Sequence, residues 1–446
     1  MASEHDLRQR KIGGGGSDNT SNAEKMKELR KKEKVPYKKA PRNDDDDISL
    51  MSLMPKLCFW IFKKIVKLNI YLFLLSIIGI ILALFLVTSP IQPEKYNLKR
   101  PRRFEGILKP NYILSHAQRL FEYRIEGPES IAVHPITGKL YTGTADGKIW
   151  VLDTNEMKIL AELGEPPCVG GGWHDELNCG RPLGMRFDVT GRLIVADAYK
   201  GLFSIDRDNG DFIKLYSSKE PVDHKKPKFL NDLDITSDGK IYFSDSSVKW
   251  QRRDVSYLVL EGKADGRILC FDPKLNKTEV VIDNLVFPNG VQLSPKEDFL
   301  LIAETTMARI KKFYLTGPKK GKLETFIDNL PGLPDNIRAS SSGGYWVAFA
   351  GVRRKEKFSL LEWASTRPWF KKYLTKVVPQ VLLFKAVPSY GLIVEINQNG
   401  KIRRSYHDPD AEVLSSVSQV TEFNKVLYLG SYYLPYISMV DLNTKP

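Results

Sequence analysis

A single short pattern recurs along this chain: a loop with a polar side chain, a short strand, a tight turn and a second strand. The clearest copy covers Phe229–Asp245, where Ser237-Asp238-Gly239 separates the two strands. The other five copies cover residues 127–141, 181–197, 287–295, 333–347 and 418–430. Most copies begin about 45–60 residues after the previous one, a spacing typical of propeller blades. The repeat therefore predicts an all-β fold, a six-bladed β-propeller over residues 127–446.

The composition changes several times before the repeats begin. Residues 1–54 are polar and cannot bury enough apolar surface to become ordered, so we predict a disordered cytosolic tail. A basic juxtamembrane segment follows at 55–69. Residues 70–87 carry no charge, which predicts a transmembrane signal-anchor helix over 70–88 that contacts the lipid bilayer. Residues 89–126 are rich in proline and lysine, and we expect them to form a stalk.

The orientation of this anchor follows from several features together. Basic residues flank the span almost evenly, with four between 56 and 67 and five between 95 and 103, but the nearer ones lie on the N-terminal side. The C-terminal domain carries a candidate disulfide, Cys168 with Cys179 across a glycine-rich loop, and a glycosylation sequon at Asn276. We therefore expect a single-pass type II protein of the plasma membrane or endoplasmic reticulum, with the propeller on the extracellular or lumenal side.

The whole chain has a formal net charge of +14, which is compatible with nucleic acid or an anionic membrane as a partner. The excess charge is scattered along the sequence, and no nucleic-acid-binding motif accompanies it. We therefore predict no nucleic-acid partner and attribute the charge to the membrane surface.

The repeated hairpin pattern is interrupted between residues 353 and 390. Residues 358–374 place apolar side chains at helical spacing, interleaved with Arg367, Lys371 and Lys372. This pattern predicts an amphipathic insertion in the fifth blade. Its apolar face either packs on the propeller or forms a lid or a membrane-surface contact beside the channel mouth.

The polar residues that open the copies occupy equivalent places. Because the innermost strand of each blade begins near the central channel, these side chains should converge on one axis. Single Asn and Asp residues often only cap turns, but oxygen donors in register in four blades suit Ca²⁺, which accepts about 6–8 oxygen ligands. The second copy has Gly184 at this place, and the last has Gln419. The predicted ligands are Glu129, Asn231, Asn289, Asp335 and Asn336.

A calcium ion held there would polarise an ester or lactone carbonyl and stabilise the oxyanion that forms when water attacks. We consider Asp232 first as the general base because it follows a predicted ligand, and His174 second. The sequence has no Gly-x-Ser-x-Gly elbow in a strand–turn–helix context and no dinucleotide or Walker-type loop. A serine hydrolase and a nucleotide-dependent enzyme are therefore disfavoured.

Several sequence blocks closely resemble one known family, the strictosidine synthase-like group of six-bladed propellers, which is related to paraoxonases and gluconolactonases. These blocks are Cys179–Gly184, Val195–Phe203, Trp250–Asp254, Phe287–Pro295, Ala303–Ile310 and His407–Asp410. The resemblance implies calcium held in the central channel by the five predicted ligands, a catalytic role for Asp232 and a Cys168–Cys179 disulfide. It also implies hydrolysis of the arylesterase or lactonase type.

The sequence departs from these relatives at three places. The catalytic glutamate of true strictosidine synthases falls on Gln419, which cannot act as an acid or base. The paraoxonase catalytic histidine falls near Ala198, and a carboxylate of its second calcium falls on Ser130. We therefore favour a calcium-dependent hydrolase of a small-molecule ester or lactone. The alternatives are a non-catalytic membrane binding or adaptor propeller with a structural calcium and, less favoured, strictosidine synthase-type condensation.

Overall fold

The computed structural model describes residues 50–154, 156–168, 172–385 and 387–443. The predicted disordered tail lies outside these residues except for its last five. Contacts along the chain divide it into two units, Met1–Ile77 and Ile78–Pro446, which we describe separately.

The described part of the first unit is helical. Helix α1 covers Leu50–Leu86 and therefore continues into the start of the second unit. Its stretch Lys56–Leu86 is the one helix in the described residues that is long and apolar enough to cross a membrane. The helix includes the predicted juxtamembrane segment and ends at Leu86, four residues before Pro90, which cannot continue a helix.

The second unit contains six four-stranded antiparallel sheets, which confirms the predicted six-bladed propeller. The strands in chain order are β1 Gln118–Leu120, β2 Ile131–Val133, β3 Leu140–Gly143, β4 Lys148–Asp153, β5 Glu156–Glu162, β6 Pro182–Phe187, β7 Leu193–Asp197, β8 Gly201–Ile205, β9 Phe212–Ser217, β10 Leu230–Ile235, β11 Ile241–Asp245, β12 Gly266–Asp272, β13 Lys277–Leu285, β14 Pro288–Leu293, β15 Phe299–Glu304, β16 Arg309–Tyr314, β17 Leu323–Ile327, β18 Gly332–Ala339, β19 Tyr345–Val352, β20 Gly391–Ile396, β21 Ile402–Asp408, β22 Gln419–Phe423, β23 Val426–Gly430 and β24 Ile437–Asp441.

The first strand of each blade lies innermost. Strands β2, β6, β10, β14, β18 and β22 contact one another in sequence around the ring. The core is divided into apolar layers between neighbouring blades, such as the layer of Ile268, Val291 and Leu300 between the third and fourth blades. Burying both faces of each sheet in this way stabilises strands that are too short to be stable alone.

The sixth blade is built from both ends of the propeller chain. Strand β1 pairs antiparallel with β24, with Gln118 opposite Met439, and so closes the ring. This strand lies inside the segment that the sequence predicts as a stalk. Much of that segment packs on the propeller, because Ile91 and Leu114 are buried and the Glu94 amide donates to the Glu261 carbonyl at 2.8 Å.

Short helices lie outside the sheets of the propeller. They are α2 Glu176–Cys179, α3 Val255–Glu261, α4 Leu360–Ser365, α5 Pro368–Val377 and α6 Gln380–Lys385, with 3₁₀ turns at Gly106–Leu108, Leu114–His116 and Arg252–Asp254. Helices α4–α6 form the helical insertion, residues 353–390, between the second and third strands of the fifth blade. Because consecutive strands run in opposite directions, loops between second and third strands lie at the same end of the propeller as loops that lead into first strands. We call this end the mouth face.

Neighbouring blades approach closely at the centre, and Gly184 is required there. A Cβ atom at this position would lie 2.6 Å from the Cα of Asp232 and 2.9 Å from the carbonyl oxygen of Asn231. Backbone atoms cannot move aside cheaply, so a side chain at this position would push the second blade away from the third.

We predict that Gly184→Ala lowers the free energy of unfolding by about 1–3 kcal/mol because of this overpacking. Chemical denaturation of the full chain in detergent measures the effect. Gly172→Ala is the matched control, because a Cβ atom there meets no atom within 4 Å. Equal stability of the two variants would contradict close packing at the centre.

Candidate functional site

The same β-bulge occurs in the first strand of four consecutive blades. The register between first and second strands shifts after Pro182, Leu230, Pro288 and Pro334, so two residues oppose one in each case. The bulged pairs are Leu183-Gly184, Asn231-Asp232, Asn289-Gly290 and Asp335-Asn336. A bulge re-aims side chains that a regular strand would place on its two faces. This explains why polar residues of these strands can face the channel.

The structure brings the five predicted ligands to one end of the channel, and we call them the oxygen cluster. Glu129 precedes β2, whereas the others lie in the bulges of the third, fourth and fifth blades. All five are buried, each with at most 5% of its surface exposed. The Asn336 amide donates to Glu129 Oε1 at 2.8 Å, and Asn289 hydrogen-bonds Asp335. Their role as metal ligands remains a prediction.

Several acceptor oxygens in this cluster lack a hydrogen-bond partner among the described residues. They are Glu129 Oε2, Asn289 Oδ1 and Asn336 Oδ1. Leaving a buried acceptor unpaired costs about 1–3 kcal/mol, so three such oxygens together indicate a place for a cation. The donor set fits calcium, which prefers carboxylate and amide oxygens. The described residues contain no group of three or more His, Cys, Asp or Glu side chains that could hold a metal ion. The amide oxygens are therefore essential to this ligand set.

The ionised forms of the two carboxyl groups in the cluster are unfavourable without a cation. Burial raises the pKa of Glu129 to about 7, and the nearby Asp232 adds to the effect. Burial also raises the pKa of Asp335 well above its ordinary value, with a further contribution from Glu129. Two acids that share a desolvated site cannot both ionise easily, and a bound divalent cation would relieve this.

A cavity of about 510 Å³ leads to the oxygen cluster, and Glu129, Asn231, Asn289 and Asp335 line it. Most of its wall is apolar. The rings of Phe229 and Phe287 lie 6.0 Å apart on that wall. Helix α3 contributes Val255, Val259 and Leu260, and the helical insertion contributes Phe358, Leu360, Leu361, Leu374, Val381 and Leu383.

Asp232 lies below this cavity and is not among the residues that line it. Its carboxylate accepts two hydrogen bonds from Arg338, at 2.7 and 2.9 Å, and one from the Val291 amide at 2.9 Å. Both partners of this ion pair are almost fully buried. The structure therefore places Asp232 in a satisfied salt bridge, and its role as general base stays a prediction.

Arg338 joins several blades beside the oxygen cluster, a role that the sequence did not indicate. Besides Asp232, its guanidinium donates to Gln419 Oε1 and, at 3.4 Å, to Ser130. Gln419 in turn donates to the Ile131 carbonyl at 2.8 Å. Gln419 is thus fully engaged in linking the first, fifth and sixth blades.

Arg181 is a second buried cation that sequence reasoning missed. Its Nη2 donates to the carbonyls of Gly127 and Tyr432, at 2.9 and 3.0 Å. Its Nε and Nη1 have no partner in the part of the chain that the structure describes, and the side chain lines the cavity. Desolvation lowers the pKa of Arg181 to about 10. Its place in the block Cys179–Gly184, which resembles the family, did not indicate this position.

The remaining predicted residues lie around the mouth face or far from it. A disulfide joins Cys168 to Cys179, as predicted, and the loop it closes places Trp173 and Glu176 on the cavity wall. His174 is exposed and is absent from the described cavity lining, so the structure does not bring it to the oxygen cluster. Asn276 is exposed in the turn between β12 and β13 at the opposite end of the propeller, and its glycosylation stays a prediction.

Comparisons with known proteins show the family to which this chain belongs. A family model described as strictosidine synthase matches residues 231–318, and one described as strictosidine synthase-like, N-terminal matches residues 106–152. The adipocyte plasma membrane-associated protein of Danio rerio is 46% identical over 85% of this chain and 90% of its own length. The Homo sapiens protein of that name is 48% identical over 81% of this chain and 86% of its own length. This chain belongs to the adipocyte plasma membrane-associated protein family.

Two further proteins match this chain at lower sequence identity. Protein strictosidine synthase-like 3 of Arabidopsis thaliana is 34% identical over 74% of this chain and 86% of its own length. The solved structure of a gluconolactonase from Xanthomonas campestris shares the fold, with a TM-score of 0.50 and 16% identity over 79% of this chain and 97% of that one. The strictosidine synthase match covers the part of the chain that contains Asn231 and Asn289.

We predict that the metal-free protein loses stability as pH rises from about 4.5 to about 7, the ordinary and folded pKa values of Glu129. In this range the folded state keeps a proton that the unfolded chain has released, so the free energy of unfolding falls with rising pH. Glu129→Gln should reduce the change in the free energy of unfolding over this pH range by on the order of 3 kcal/mol. Unfolding in the presence of chelator measures it.

Glu105→Gln, at an exposed position, is the matched control and should leave the pH profile unchanged. A pH profile for Glu129→Gln that parallels the unmodified chain would contradict the burial of an uncompensated carboxyl group at the channel end.

Proposed function

We propose that this protein is a membrane-anchored, calcium-dependent hydrolase of esters or lactones, with its cation held by the oxygen cluster. One observation carries the proposal: the oxygen cluster contains three unpaired, buried acceptor oxygens, and a mostly apolar cavity leads to this cluster. Glu129, Asn289, Asn336 and Asp335 would hold the ion, and Asn231 adds a fifth candidate ligand. The bound ion would polarise a substrate carbonyl oxygen.

The chain itself supplies the other requirements of hydrolysis. We propose Asp335 as the group that takes a proton from the attacking water, because it lines the cavity and one of its two carboxylate oxygens would stay free when the other holds the ion. Asp232 is less suitable, since Arg338 and the Val291 amide occupy its oxygens. In this proposal Asp232 instead fixes the bulge that carries Asn231.

Arg181 is suited to stabilise negative charge that develops on the substrate. Its unpaired Nε and Nη1 atoms belong to a buried guanidinium on the cavity wall. Donors in a site that excludes water stabilise an anion more strongly than donors in solution. The apolar wall formed by Phe229, Phe287 and the helical insertion provides that exclusion.

We further propose that α1 anchors the protein in the plasma membrane in the type II orientation, with the propeller outside. The names of the relatives, which describe them as plasma membrane-associated, support the compartment. The Cys168–Cys179 disulfide and the exposed sequon at Asn276 support an extracellular propeller, because both modifications belong to the secretory route.

The test is hydrolysis of an aryl acetate and a γ-lactone by the purified full chain in detergent. Chelator should abolish turnover, and calcium should restore it. Asn289→Ala should lower kcat/KM by about 10²–10³, the usual loss when one preorganised electrostatic contact is removed. Asp335→Asn should lower kcat to a similar degree.

Asn209→Ala, in the exposed turn between β8 and β9, is the matched control and should retain full activity. Calcium that raises the melting temperature without any ester or lactone turnover would contradict the proposal. That result would favour the non-catalytic binding propeller, in which the cation only holds the blades together.

A further inference from the structure

The helical insertion packs directly on the residues that follow the apolar helix. Ser89, three residues after α1 ends at Leu86, hydrogen-bonds Thr375 of α5 at 3.1 Å. Three residues of chain span at most about 10 Å. Lys371 of the same helix donates to the Glu94 carbonyl at 2.5 Å and lies 4.5 Å from the centre of the Tyr96 ring. A membrane that holds α1 must therefore lie close to α5.

The outer surface of the insertion has the composition of a membrane interface. Trp369 is 60% exposed and Leu382 is 55% exposed, and the other exposed apolar side chains are Phe358, Leu360, Trp363, Tyr373, Val377, Val381 and Val387. The Arg367 guanidinium stacks on Trp363 at 4.3 Å, and Lys372 is exposed beside them. Exposed tryptophan and aliphatic side chains combined with basic residues are typical of helices that lie on a bilayer.

The inner surface of the same insertion forms part of the cavity wall. Leu361, Leu374 and Leu383 line the cavity without being strongly exposed, whereas Phe358 and Val381 both line it and reach solvent. These last two therefore mark a rim where the cavity opens beside the exposed aromatic side chains. Most of the cavity wall on this side is apolar, and Arg353, Ser359 and Glu362 are its polar members.

We infer that the insertion rests on the bilayer and that the cavity takes its substrate from the membrane. The substrate class is an ester or lactone with a hydrocarbon chain long enough to partition into lipid, and this inference rests on the proposed function. The sequon at Asn276 agrees with this placement, because it lies at the end of the propeller opposite the mouth face and a glycan there would point away from the membrane.

The membrane contact can be tested independently of catalysis. Single cysteines replace Trp369 or Leu382 in a Cys58→Ser background of the full chain and are labelled with an environment-sensitive fluorophore. Cys270 is buried and Cys168 is paired with Cys179, so neither competes for the label. In phosphatidylcholine vesicles, nitroxide-labelled phospholipid should quench both labels and their emission should shift to the blue.

Leu275→Cys is the matched control, because Leu275 is 71% exposed in the turn between β12 and β13 at the far end of the propeller. Its label should be quenched by aqueous iodide and not by lipid nitroxide. Equal lipid quenching at positions 275, 369 and 382 would overturn the inference, whereas aryl acetate hydrolysis by the same preparation would leave the proposed function standing.

The substrate route is tested with acetyl and dodecanoyl esters of the same phenol in the same vesicles. Trp369→Asp and Leu382→Asp alter side chains outside the described cavity lining. Each variant should lower kcat/KM for the dodecanoyl ester by at least about tenfold, which corresponds to 1.4 kcal/mol. The kcat/KM for the acetyl ester should stay unchanged. Equal effects on the two esters would overturn the membrane route. Failure to hydrolyse either ester would count against the proposed function, and the quenching result would still decide the membrane contact.

Discussion

The burial of Glu129 and Asp335 together, without a basic partner, is the constraint on which the candidate site depends. Neither acid forms an ion pair among the described residues, whereas nearby Asp232 is matched by Arg338. Burial makes the ionised form of each acid unfavourable, and the raised pKa values of both express that cost. Such groups beside unpaired amide oxygens suit a cation, because a bound cation would offset the cost of the same burial.

The rest of the propeller holds this arrangement in place. Three of the four bulges turn polar side chains into the channel. The fourth contains Gly184, whose tight packing against Asn231 sets the spacing between the second and third blades. Arg338 connects three other blades to the fifth through Asp232, Ser130 and Gln419. The helical insertion and the disulfide loop then cover the other side with apolar side chains, which lowers the local dielectric where charge would develop.

The repeat predicted the six blades because each copy carries its own local turn and strand signals. Placing the six copies in register also predicted the oxygen cluster, because equivalent positions of the blades face the central axis. It could not show that Asp232 is paired with Arg338, because these residues are 106 positions apart and only the closed ring brings them together. Strand β1 was missed for a similar reason: a three-residue strand has no periodicity of its own and forms by pairing with β24. The prolines before three of the bulges were the signal that could have indicated them.

The central claim is that the oxygen cluster binds a calcium ion, and a crystal structure of the protein grown with calcium tests it most directly. The account predicts one ion with Glu129 Oε2, Asn289 Oδ1 and Asn336 Oδ1 at about 2.3–2.6 Å, together with an Asp335 oxygen. A structure in which these oxygens bind only water or protein donors, or in which calcium lies elsewhere, would contradict it.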